Sequence, residues 1–174
     1  MIVEGRRREV RKPVGMTMIK PLTYAVEVQS DAPKAFGLIC EIEKWPVWLS
    51  FLRTARLADP RKPLRVASEV VLRSSIPGDR EQLFEIDQYI ENHMLSLVGA
   101  YSVRRRIDFR IERKSKSSKI VVRLEYPAYG GRIASLIDRV TSRRKLATAL
   151  ADSLTHFKGL VEFERHPDAL LADF

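Results

Sequence analysis

Residues 30–52 read SDAPKAFGLICEIEKWPVWLSFL, a capped helix start that runs into a tryptophan-rich turn. Asp31 followed by Ala32-Pro33 is a helix start, because the carboxylate accepts from free N–H groups of the first turn and the proline already holds a helical φ. Phe36, Ile39 and Cys40 then recur at helical spacing and give that helix one apolar face. A Trp-Pro-x-Trp turn at residues 45–48 follows. Just upstream, residues 22–29 (LTYAVEVQ) alternate between apolar and polar side chains, the pattern of a strand.

Working outward, residues 52–58, 66–75, 82–92, 94–101, 103–113 and 119–126 carry β-branched or aromatic residues with period-two alternation. The separators are turn chemistry: Asp59-Pro60 with Lys62-Pro63, Ile76-Pro77-Gly78-Asp79, Asn92-His93, and the polar run 114–118. Links this short make consecutive strands antiparallel neighbours, since a parallel crossover needs a dozen or more residues. Beyond Gly130-Gly131 the period changes. Leu136, Val140, Ala147, Leu150, Leu154, Phe157 and Val161 keep a three-to-four spacing over 132–164, which predicts one helix on the order of 45 Å long. A helix of that length with one apolar stripe must lie across a surface equally long, and a curved antiparallel sheet supplies it.

The order strand, two helical segments, six strands, long helix, with the x-A-P-x-x-x-F helix start and the E-x-W-P-x-W turn, resembles the START-like (SRPBCC) superfamily. That superfamily includes polyketide cyclases and aromatases, lipid-transfer START domains, Bet v 1-like proteins and coenzyme Q-binding proteins. The resemblance covers about residues 20–164. It implies an α+β helix-grip fold, in which a sheet of about seven strands wraps a long C-terminal helix and encloses a cavity. It carries over no catalytic residue, because the superfamily shares a cavity and not a reaction.

Composition is consistent with one ordinary globular domain: 174 residues, 45% hydrophobic and 30% charged. The expected division is a basic arm at 1–18, a ligand-binding domain at 19–165 and a tail at 166–174. No apolar run approaches the roughly 18 residues of a membrane span, and the basic start lacks the apolar core of a secretory signal. With a single cysteine, Cys40, the expected compartment is the cytoplasm. The formal net charge of +9 raises a nucleic-acid or anionic-membrane partner as an alternative, drawing on Arg6, Arg7, Arg8, Arg11 and Lys12 and on the clusters at 104–106 and 143–145. Monomer and homodimer both stay open.

The chemistry of the chain is sparse. His93, His156 and His166 are scattered over turn, helix and tail without metal-ligand spacing. Cys40 lies on an apolar helix face, where a thiol is inert, and Gly130-Gly131 lacks the rest of a phosphate loop. No metal or cofactor is implied. The informative anomaly is Arg105, which alternation places on the same strand face as Val103, Ile107, Phe109 and Ile111. Such an arginine pairs with a carboxylate, snorkels at the sheet end, or faces a cavity holding an anion. Gln82, Phe84, Ile86 and Gln88 form a comparable mixed set.

The candidate ligand-binding residues are therefore Arg105 with the aromatic set Trp45, Trp48, Phe51, Phe84, Tyr101, Phe109, Tyr126 and Tyr129, joined by Arg143 on the helix. An apolar lining with a few orienting polar groups suits a hydrophobic or aromatic small molecule. A carrier or sensor of such a molecule is the leading function. The alternative enzyme is a polyketide cyclase/aromatase-like one in which Arg105, Tyr101 or Tyr126 stabilises an enolate oxygen, although no interior carboxylate or histidine offers itself as base.

Overall fold

A computed structural model describes residues 20–76, 80–125 and 135–163; at 80, 102–104 and 135–140 it describes the backbone only. The arm and tail expected at the two ends, Tyr126, Tyr129 and Gly130-Gly131 fall outside these residues, as do the side chains of Leu136 and Val140.

The chain runs β1 (Leu22–Val28), α1 (Ala32–Cys40), a 3-10 turn (Ile42–Lys44), α2 (Trp45–Trp48), β2 (Leu52–Leu57), β3 (Glu69–Ser74), β4 (Arg80–Ile90), β5 (Met94–Gly99), β6 (Ser102–Arg113), β7 (Ser118–Glu125) and α3 (Ser135–Phe163). All seven strands form one antiparallel sheet in the order β1-β7-β6-β5-β4-β3-β2. β2 to β7 are a meander, as the short links require, and β1 adds to its far edge with Leu22 opposite Leu124 and Val28 opposite Ser118. The α1–α2 segment thus carries the chain from one edge of the sheet to the other. This is the α+β helix-grip architecture.

Local chemistry sets the first helix. The Asp31 carboxylate accepts from Lys34 N at 3.1 Å, and a proline occupies the first turn. The chain then tightens through the 3-10 turn into α2, where Trp45 Nε1 donates to Ile39 O at 2.8 Å. That bond ties the Trp turn back onto α1.

α3 spans 29 residues, about 44 Å at ~1.5 Å each. Its buried face is Leu146, Leu150, Leu154, Phe157 and Val161. Leu146 holds the position that the sequence pattern gives to Ala147, which is only half-buried. One polar residue belongs to the same face: Ser153, fully buried, accepts from Ser50 N at 3.0 Å and donates to Ala149 O at 2.5 Å. A buried hydroxyl satisfied in this way clamps the α2–β2 turn to α3 without an unpaired polar atom.

Alternation holds along β7, where Ser118, Ile120, Val122 and Leu124 are buried. On β4 it breaks. The register with β5 shifts between Ile86 and Gln88, so Ile86 points inward while Gln88 is exposed and Tyr89 turns in against Phe36, ring centroids 5.6 Å apart. A bulge of this kind inserts one residue and inverts the pattern beyond it, which removes Gln88 from the interior set.

Candidate ligand cavity

The layer between sheet and α3 has two unlike ends. Toward α1 it is solid. Trp45 packs on Phe109 with centroids 5.0 Å apart, and Trp48 lies against Phe109 at 5.9 Å and Phe157 at 4.8 Å, edge to face. All four rings are buried. Trp48 Nε1 is also buried and has no hydrogen-bond acceptor among the described residues.

Toward the N-terminal half of α3 the layer is hollow. A cavity of about 70 Å³ is walled by Phe51, Leu72, Phe84, Ile107, Leu124 and Leu146, with Ser74, Gln82, Arg105 and Glu125 among its polar neighbours. A second space of about 320 Å³ lies on the outer side of the sheet among Arg56, Val71, Leu83 and Tyr101, and Gln82 and Arg105 line it as well.

Two of the cations near these spaces meet carboxylates. Arg106 forms ion pairs with Asp87 and, from Nε at 3.0 Å, with Asp108, whose carboxylate also accepts from Ser96 at 2.5 Å. Burial opposes the Arg106 charge, but the Asp108 and Asp87 carboxylates outweigh it and its pKa rises. Arg56 reaches Glu81 at 3.8 Å, and Glu125 is held by Arg123. Arg105, half-buried, has its pKa lowered by desolvation.

Of the residues singled out from sequence, the structure brings Phe51, Phe84 and Arg105 together around the cavity. Trp45, Trp48 and Phe109 pack with one another in the solid half instead, because their rings close on each other and on Phe157. Tyr101 is 90% exposed: β5 stops at Gly99, so the tyrosine sits in the β5–β6 turn and reaches only the outer space. Arg143 donates to Lys20 O at 2.6 Å, tying α3 to the segment before β1. Leu72, Leu124 and Leu146 were not singled out; their signal was ordinary strand alternation and helical spacing, which marks a residue as inward but not as cavity wall.

Elsewhere, a shallow cleft of about 670 Å³ lies between the start of α1 and the β6–β7 turn, with Lys34, Arg113, Lys114 and Lys116 beside it. Glu27 pairs with Lys114 there at 2.6 Å. Cys40 is partly buried, its thiol pushed up to about 11 by burial. No helix among the described residues is long and apolar enough to cross a membrane.

No protein-family model matches this sequence, and no curated protein matches it either. Solved structures do. An aromatase/cyclase from Streptomyces superposes with a TM-score of 0.67 at 10% identity, covering 87% of this chain and 97% of that one. A START superfamily protein from Mycobacterium smegmatis gives 0.59 at 16% identity, covering 81% and 96%. The Aha1 dimer from Colwellia psychrerythraea gives 0.57 at 13% identity, covering 83% and 97%. The fold is START-like. Coverage of more than four-fifths of this chain and nearly all of each neighbour means that the likeness extends over most of the fold, while identities this low speak for architecture alone.

Proposed function

We propose that this START-like protein binds a hydrophobic small molecule at the hollow end of the layer between sheet and α3, acting as a carrier or sensor. The observation that carries this reading is the contrast within one layer: buried rings pack on one another at the α1 end, while a space lies beside Phe51, Phe84, Leu124 and Leu146 among the described residues. Close packing is the rule in protein interiors, so an apolar space left open argues for an occupant. Binding is favoured over a cyclase because Glu125, the one carboxylate among the described residues that line the cavity, is tied to Arg123 and is poorly placed to act as a base.

Native mass spectrometry of the purified protein tests this, with Leu72→Phe as a filled-cavity control. An apolar adduct that is present on the original protein and lost from Leu72→Phe, with both proteins folded, is the expected outcome. A bare mass, together with no thermal shift on adding fatty acids or flat aromatic compounds, would overturn it.

A further inference from the structure

The cleft between the β6–β7 turn and the start of α1 lies outside the layer, at the other end of the β6–β7 hairpin from the cavity. Its volume of about 670 Å³ falls within the ~300–1,000 Å³ that organic ligands occupy. Arg113 beside it is six residues along β6 from Ile107 of the cavity wall, or ~20 Å at ~3.3 Å per residue. The two spaces are therefore separate sites.

The walls of the cleft are fixed to each other. Ser118 Oγ donates to Ser30 O at 2.9 Å, with both residues buried, and Lys114 N donates to Ser117 O at 2.9 Å to close the turn. Glu27 on β1 accepts from Lys114 Nζ at 2.6 Å and from Ser117 Oγ at 2.9 Å, which holds the turn against β1. A gap framed in this way is preorganised, so filling it requires little further ordering.

Four cationic side chains, Lys34, Arg113, Lys114 and Lys116, line the cleft against one carboxylate, Asp31. Asp31 is turned to its own helix: its carboxylate accepts from Lys34 N and its carbonyl from Ala35 N, while Pro33 has no N–H. The backbone at the start of α1 thus has little left to offer an anion, and attraction rests on the side chains. Lys114 is shared with Glu27, whereas Arg113 and Lys116 are exposed and form no ion pair among the described residues. Ser115, exposed between them, adds a hydroxyl. Among the described residues no aromatic side chain lines the cleft, so a nucleic-acid base has nothing to stack on. None of the exposed large hydrophobic residues lines it either, so nothing there would enter a bilayer.

We propose that this cleft binds a soluble polyphosphorylated small molecule, whose adjoining phosphates lie against Arg113 and Lys116 with Lys34 and Lys114 at the margins. Three of the four cations are lysines, compact ammonium groups that meet phosphate as point charges, whereas a carboxylate is best matched by the planar fork of an arginine. Adjoining phosphates bring several charges and many acceptor oxygens within a few ångströms. Clustered cations on one short turn suit that density better than they suit charges spread along a chain.

Tripolyphosphate is the probe, with butanetetracarboxylate as a carboxylate of similar charge, each titrated calorimetrically into the whole protein at ~0.15 M salt, where loose surface attraction is screened. Tripolyphosphate should bind in a single saturable step, at least about ten-fold more tightly than the carboxylate. Arg113→Gln combined with Lys116→Gln should weaken it about ten-fold or more. Arg61→Gln combined with Arg65→Gln removes the same charge from the β2–β3 loop and should leave it unchanged. Unaltered urea midpoints would show that both double variants are folded. Absence of saturable binding, equal losses in the two double variants, or equal affinity for the two anions would overturn the proposal. So would tighter binding of decauridylate, or of vesicles containing phosphatidylserine, that is lost with Arg113 and Lys116, because the cleft would then read a nucleic-acid backbone or a lipid surface.

Discussion

The two ends of the layer under α3 are built from the same sheet and the same helix, yet one is packed and the other hollow. At the α1 end, Trp45, Trp48, Phe109 and Phe157 form a chain of ring contacts with every ring buried. At the other end the helix contributes Leu146, and the strands contribute Leu72 and Leu124, none of which spans the gap. Side-chain volume accounts for the difference: Phe157 meets the Trp48 indole from α2, whereas Leu146 shares its space with aliphatic residues and the two smaller rings of Phe51 and Phe84. The Trp turn thus makes a rigid stop that fixes α3 at one end, and any binding capacity is left to the end that the stop does not reach.

That contrast predicts unequal losses on truncation. Phe157→Ala removes a ring from a filled region and should cost about 3–5 kcal/mol, because the surrounding rings cannot collapse into the void. Leu146→Ala enlarges a space that is already open and should cost about 2 kcal/mol, the low end for Leu→Ala. Urea midpoints at constant slope would measure both. Equal losses would mean that the cavity closes in solution and that the two ends are alike.

The packed end can be divided further through its two indoles. Trp45 Nε1 donates to Ile39 O at 2.8 Å, while Trp48 Nε1 is buried without an acceptor among the described residues. Trp45→Phe therefore leaves a carbonyl unpaired near the end of α1 and should cost about 1–3 kcal/mol. Trp48→Phe removes a buried donor together with some ring area, so the two changes oppose each other and the net should stay near or below about 1 kcal/mol. Thermal or urea unfolding of the two variants side by side checks the order. The reverse order would show that Trp48 Nε1 has a partner in solution.

Much of this architecture was legible in the residues. The Asp31-Ala32-Pro33 start, the strand alternation and the stripe from Leu150 to Val161 all follow from period and capping, because those patterns are what the backbone itself imposes. What alternation does not carry is where the pairing slips. The bulge beside Ile86 turns Gln88 outward and Tyr89 inward, and the register of β5 with β6 jumps again between Val98 and Gly99. The aromatic inventory was likewise blind to the difference between filling and lining. Trp48 and Phe84 look alike in sequence, and only the rings they meet in three dimensions make the first a plug and the second a wall. Tyr101 stands apart for a simpler reason: β5 ends two residues earlier, at Gly99, which leaves the tyrosine exposed in the turn.

The smallest expected effect lies at the rim of the packed end, where α1 meets the bulged strand. Cys40 on α1 hydrogen-bonds the Tyr89 side chain, and Tyr89 is itself stacked edge-on against Phe36. Burial raises the Cys40 thiol from 9.0 to about 11 and also raises the Tyr89 phenol, so both neutral forms are favoured by folding. Below pH 9 the thiol is protonated in folded and unfolded chains alike, and stability does not depend on it. Between about pH 9 and 11 the unfolded chain releases that proton while the folded chain keeps it, so stability should fall across this window and the fall should be shallower in Cys40→Ala. In the native protein, alkylation of Cys40 by iodoacetamide at pH 8 should be about 100-fold slower than in urea, the ratio of thiolate expected for values of about 11 and 9.0. A thiol that reacts at the same rate folded and unfolded would place Cys40 in open water, and with it would go the tight seat of α1 on Tyr89 that closes this end of the layer.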